Sequence, residues 1–127
     1  MSPDRVLTVL LVSTPRHSYV LNDNTAQDIY QLWQDRYGNE PFINVFGPDD
    51  ASGALRDGKF LDLTHRAESN ELDLFVFAAR HGGAVIVGRL DNLGKGAAGN
   101  AVQCLNIMMG QDEGIGLSSD KSRRAAS

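Results

Sequence analysis

Two apolar arms around a glycine turn constrain this chain more than any other feature. Leu72 to Arg80 and Ala84 to Leu90 each have strand length, and His81-Gly82-Gly83 between them reads as a hairpin turn. Along the first arm Leu72, Leu74, Val76 and Ala78 share one face, and Asp73, Phe75, Phe77 and Ala79 share the other. Two aromatic residues on the second face imply that it too is covered, so the hairpin belongs inside a layered sheet. Val6 to Val12 (VLTVLLV) is apolar on both faces apart from Thr8, which predicts another strand covered on both sides. Phe42 to Phe46 and Phe60 to Leu63 are shorter strand candidates, separated by a Gly-, Asp- and Pro-rich loop from Gly47 to Gly58.

Two helices complete the pattern. Thr25 to Tyr37 has Thr25 as a capping residue and Asp28 at the capping-box position. Ile29, Leu32, Trp33 and Tyr37 recur at helical spacing, with Gln27, Asp28, Gln31, Gln34 and Asp35 toward water. Gly38, Asn39 and Pro41 end it. The second helix runs from Gly99 or Asn100 to Met109, interrupted only by the polar residues Asn100, Gln103 and Asn106. A helix so apolar is expected to be enclosed by protein. The fold expected is α+β: a mostly antiparallel sheet built around Val6–Val12, Leu72–Arg80 and Ala84–Leu90. The Thr25–Tyr37 helix packs on one face, and the Gly99–Met109 helix folds back onto the domain or projects to a partner. Residues 1–117 form one domain, and 118–127 form a polar, disordered tail.

Composition excludes several classes. A length of 127 residues suits a single domain. A net charge of −4 with no basic stripe argues against nucleic acid. No apolar run approaches the roughly 20 residues of a membrane helix, and no small-residue cleavage site follows the first apolar run. A single cysteine forms neither an internal disulfide nor a thiolate metal cluster, which fits a reducing cytoplasm.

The segment Gly94-Lys95-Gly96-Ala97-Ala98-Gly99 matches G-x-G-x-x-G between a strand and a helix. A dinucleotide fingerprint needs a second parallel strand after that helix, and Gln111 to Ser127 contains no strand-like run. The match is therefore accidental in that sense. Its physics remains: small residues admit a ligand close to the backbone, and the helix start beside Lys95 favours an anion or a polar amide. The plain alternative is a tight turn with Lys95 in solvent.

The run Leu90-Asp91-Asn92-Leu93-Gly94-Lys95-Gly96-Ala97-Ala98-Gly99-Asn100-Ala101-Val102-Gln103 resembles the D-N-L-x-K-G-A-A-G-x-A-x-Q segment of N-acetyl-γ-glutamyl-phosphate reductases. Asn106, Met108, Gly110, Glu113, Gly116 and Leu117 are similar to that family's N-x-M-x-G-x-x-E-x-x-G-L ending, and Tyr37 to Ile43 to its Y-x-x-E-P-F-V. Ser69-Asn70 stands where the family has a small residue and Asn. Aspartate-semialdehyde dehydrogenases share only the D-N-L-x-K-G-A-A part. The resemblance runs with gaps from about Leu7 to Leu117.

It implies an NADP-dependent enzyme of arginine biosynthesis that reduces an acyl phosphate to a semialdehyde. The implied fold resembles glyceraldehyde-3-phosphate dehydrogenase: a Rossmann domain, then an α+β catalytic and dimerisation domain that this chain would represent. By the same resemblance Asn92, Lys95, Gly96 and Gly99 are cofactor-binding residues that position nicotinamide. The family's nucleophilic cysteine and catalytic histidine have no counterpart in these residues, so no catalytic residue is assigned. NADP is expected only in a complete enzyme, and not on the isolated chain. The expected partners are further copies of the chain, through the sheet, and a separate Rossmann-domain chain; neither nucleic acid nor membrane is expected.

The remaining candidates have plain readings. Cys104, flanked by Ala101, Leu105 and Met108, reads as an inert core thiol. His17, His65 and His81 read as solvated, as do the carboxylate pairs Asp49-Asp50 and Asp112-Glu113, and no metal site is expected. Met108 and Met109 read as packing or as an interaction surface. Two functions follow: the C-terminal part of such a reductase, inactive alone, or a free-standing dimerisation module derived from one. A small anion-binding protein using the Lys95 loop is a third.

Overall fold

Alternating apolar residues pair as the arms predict. The computed structural model describes residues 7–13, 25–51, 55–62, 65–79 and 83–119. In chain order the elements are β1 (Leu7–Ser13), α1 (Thr25–Tyr37), β2 (Ile43–Phe46), β3 (Leu72–Ala78), β4 (Ala84–Asp91), a π-helical turn (Gly94–Ala98) and α2 (Gly99–Met108). The strands form one four-stranded sheet in the order β1-β4-β3-β2. β4 lies antiparallel between β1 and β3, with Leu7 opposite Asp91 and Asp73 opposite Arg89. The sheet is mixed, because β2 joins parallel to β3 with Asn44 beside Asp73.

Both faces of the β3–β4 pair are covered. On one, Ala26 of α1 packs with Val76 and Ala84, supported by Ile29, Tyr30 and Trp33. These α1 residues follow the i, i+3, i+4, i+7 stripe of a helix lying on a sheet. Tyr30 takes the inward place expected for Leu32, which is exposed. Its ring lies against Gly47, where a Cβ would come within 2.9 Å of it. On the other face Phe75, Val87 and Ala51 form a core with Phe46, Leu61, Phe77 and Val85 around it. The Phe75 ring stacks on Phe46 at 4.8 Å and on Phe77 at 5.8 Å between centroids.

Several expectations need correction. The described part of the expected Phe60 to Leu63 strand, Phe60 to Asp62, is not a strand: Phe60 makes an isolated bridge to Arg56, around a turn in which Asp57 and Gly58 have φ of 55° and 65°. Leu63, His17 and the hairpin turn residues 80–82 lie outside the described residues, and Ala79 N–H donates to the Gly83 carbonyl at 3.2 Å where the turn closes. Of the two arrangements expected for α2, the described residues do not enclose it, since Leu105, Ile107, Met108 and Met109 are all exposed. Cys104 is exposed as well, so it is no core thiol here. Ser118 and Ser119, read as tail, are fastened: Asn70 N–H donates to the Ser118 carbonyl at 2.9 Å and Ser119 Oγ donates to Glu71 at 2.8 Å. Residues 120–127 lie outside the described residues. No helix among the described residues is long and apolar enough to cross a membrane.

Candidate functional site

The site begins where β4 ends. Asp91 is buried, and its carboxylate accepts the N–H groups of Leu93 at 2.9 Å, Gly94 at 3.3 Å and Glu68 at 2.6 Å. That acceptance folds the strand end into the turn, as an Asx side chain does. The next five residues take π-helical geometry and run directly into α2, with Gly99 N–H donating to the Gly94 carbonyl.

Close packing explains two of the glycines. A Cβ on Gly94 would lie 2.5 Å from the Ser69 carbonyl oxygen, and one on Gly99 would collide with Asn70 Oδ1 and lie 2.8 Å from the Gly94 carbonyl. Gly99→Ala would gain about 1 kcal/mol of helix propensity. It would lose about 1–3 kcal/mol to overpacking against groups that cannot swing away. The clash wins, and a melting temperature several degrees below wild type is expected in calorimetry.

Lys95 is drawn onto the protein rather than into solvent. Its Nζ donates to Gln103 Oε1 at 2.5 Å and stands 5.7 Å from the centre of the Phe42 ring. Gln103 Nε2 in turn donates to Glu113 Oε2 at 2.7 Å, and Asn70 Nδ2 donates to Gln103 Oε1 at 3.3 Å. Burial pulls the Lys95 ammonium below its ordinary pKa, while the nearby Glu113 and Cys104 pull it back upward. Asn70 is 2% exposed, and its Oδ1 has no hydrogen-bond partner among the described residues. Asn106 Nδ2 donates to the carbonyls of Glu113 at 3.2 Å and Ile115 at 2.9 Å, which pins the loop that carries Glu113.

A cavity of about 290 Å³ opens beside this cluster, lined by Pro41, Phe42, Asp112, Glu113, Gly114, Leu117 and Ser119. The expectation of a solvated Asp112-Glu113 pair therefore fails for Glu113, which Gln103 engages. His65, Asp49 and Asp50 are exposed as expected. No group of His, Cys, Asp and Glu among the described residues could hold a metal ion.

Asn92, Lys95, Gly96 and Gly99 all fall on the one turn, but they do not face one way. Gly96 is exposed, Gly99 is pressed against Asn70, Lys95 is bound to Gln103, and Asn92 is half-buried. Asn70, Gln103 and Glu113 belong to the cluster without having been assigned a site role from sequence. One usable signal was the eight-residue spacing of Lys95 and Gln103, just over two turns.

No family model matches the chain, but curated relatives do. It is 44% identical over 110 residues to the N-acetyl-gamma-glutamyl-phosphate reductase of Trichormus variabilis, covering 85% of this chain and 34% of that protein. The enzyme of the same name from Methanosphaera stadtmanae is 34% identical over 119 residues, covering 91% of this chain and 32% of the relative. For Ectopseudomonas mendocina the figures are 35% over 103 residues, covering 79% and 27%. The homologues of this chain are N-acetyl-γ-glutamyl-phosphate reductases, and it spans about a third of the length of the relatives it matches.

Proposed function

We propose that these residues are the C-terminal portion of an NADP-dependent N-acetyl-γ-glutamyl-phosphate reductase acting in the cytoplasm. They would contribute the nicotinamide-side loop and an oligomer interface. The observation that carries this reading is the 44% identity across 85% of the chain, a span that necessarily includes Asn92 to Gln103.

The turn fits the nicotinamide end of that cofactor. Gly96, Ala97 and Ala98 are exposed and carry nothing larger than a methyl group, so a flat amide-bearing ring can lie close to the backbone. Asn92 and the Lys95 ammonium supply polar groups on the same turn. When bound, the cofactor supplies the hydride. The work of this chain is to orient the ring and to hold Lys95 beside it. Gly99 serves by letting α2 start against Asn70, which sets the height of the turn above the sheet.

Chemistry at the acyl carbon needs a nucleophile that these residues do not offer. The one cysteine of the sequence, Cys104, lies on α2 and matches no nucleophile of the family's pattern. The purified 127-residue chain is therefore expected to oxidise no NADPH in the presence of the acyl phosphate. Turnover should appear when it is combined with a polypeptide carrying the Rossmann domain, the cysteine and the histidine. NADPH oxidation by the chain alone, followed at the absorbance of the reduced nicotinamide, contradicts this reading.

The exposed apolar side of α2 favours a second reading, a free-standing dimerisation module derived from such an enzyme. In the first reading the remainder of the enzyme covers Leu105 and Met108; in the second, another copy of the chain does. Sedimentation separates the two.

A further inference from the structure

We propose that Gln103 and Glu113 are positioning residues for Lys95, a relay that holds the ammonium over Phe42, beside the cavity, with its remaining N–H bonds offered to a ligand's carbonyl or anionic oxygen. This deepens the nicotinamide-side reading and rests on it for the identity of the ligand. The relay itself rests on geometry. An ionised carboxylate can only accept hydrogen bonds, so Glu113 Oε2 at 2.7 Å requires the Nε2 end of Gln103. The opposite end, Oε1, must then face Lys95, where it accepts from Nζ at 2.5 Å. A flipped amide would set donor against ammonium and acceptor against carboxylate, so both charges select the same orientation. Asn70 Nδ2 adds a second donor to Oε1 at 3.3 Å from a side chain that is itself buried.

Each member comes from a different place in the fold. Lys95 is on the π-helical turn, Gln103 is about one turn into α2, and Glu113 is on the loop that Asn106 pins. Among the described residues Gln103 is the hydrogen-bond partner of Lys95, so two of the three ammonium protons are left for other contacts. The charged and titratable groups acting on Lys95 are Glu113 from the loop and Cys104 from α2, and Asp112 also lines the cavity. Burial works against the ammonium, and Glu113 works for it. A purely structural glutamine would need no charge at its far end.

The test is a titration of the Lys95 side chain by heteronuclear NMR in the 127-residue chain, comparing wild type with Glu113→Gln and Glu113→Asp. Glu113→Gln keeps an acceptor for Gln103 but removes the charge that works for the ammonium, so the Lys95 titration is expected to move to lower pH. Glu113→Asp keeps the charge and should recover most of that difference. Gln103→Leu should lower the pKa and also speed exchange of the ammonium protons. Identical titration of Lys95 in all four proteins, with unchanged amide spectra, overturns the proposal. The titration needs no cofactor. Its failure therefore leaves the NADP reading to the reconstitution assay, and failure of that assay leaves the titration result intact.

Discussion

Asp73→Ala is expected to destabilise the domain by about 3–5 kcal/mol, enough to lose much of a typical net stability of about 5–15 kcal/mol. Asp73 is fully buried and sits opposite Arg89 across the β3–β4 pair and beside Asn44 across β2–β3. Its carboxylate takes both Arg89 Nε at 2.9 Å and a terminal Arg89 nitrogen at 2.7 Å, and Arg66 through contacts of 2.6 to 2.9 Å. Glu71 receives the other end of Arg66 at 2.7 Å, and Asn44 Nδ2 donates to both acids, at 2.8 Å and 3.1 Å. Two buried guanidinium groups are thus matched by two buried carboxylates. Removing one acid leaves two buried cations to share Glu71. The stacking of Arg89 on the Phe75 ring, at 5.1 Å, cannot offset that loss. Removing one charge of each sign restores the balance, so Asp73→Leu with Arg89→Met should recover a large part of the stability. Urea unfolding midpoints of the single and double variants check both statements.

That network shows where reading the sequence stops. Alternation alone placed Phe75 and Phe77 on a second covered face, because the period of a strand fixes sidedness. The same alternation put Asp73 on that face, but a lone acid in an apolar arm does not announce its partners. Arg66 and Arg89 meet it only because β4 folds back in one register and the segment before β3 brings Arg66 to the same carboxylate. The parallel pairing of β2 was hidden for a similar reason, since four residues of FINVF carry no direction. At the site, Asp91, Lys95 and the glycines were visible as a motif, whereas the reason for Gly99 lies in Asn70, which is 29 residues earlier in the chain. Hydropathy misled most at α2. Its half-buried residues are Gly99, Gln103 and Asn106, and the polar stripe is the side bound to the domain. An apolar surface says that something covers it and does not say what.

Leu105→Asp combined with Met108→Asp should leave folding almost untouched and abolish association. Leu105 is 53% exposed and Met108 83%, so neither contributes much to the folded chain, and the unfolding midpoint should shift by less than about 0.5 kcal/mol equivalent. Residues three apart on α2 lie on one face, where an associating surface would bury both. An unpaired carboxylate in such an interface costs about 2 kcal/mol or more, so two of them weaken association by about a thousandfold. Sedimentation of wild type and the double variant at micromolar concentration, alone and mixed with the Rossmann-domain polypeptide, reads the result. Self-association in the wild type that the variant loses assigns the face to a second copy. A monomeric wild type that binds the other polypeptide, with a variant that does not, assigns it to the remainder of the enzyme. A variant that associates like the wild type in both experiments removes α2 from either interface, and the apolar side of the helix then needs a different partner.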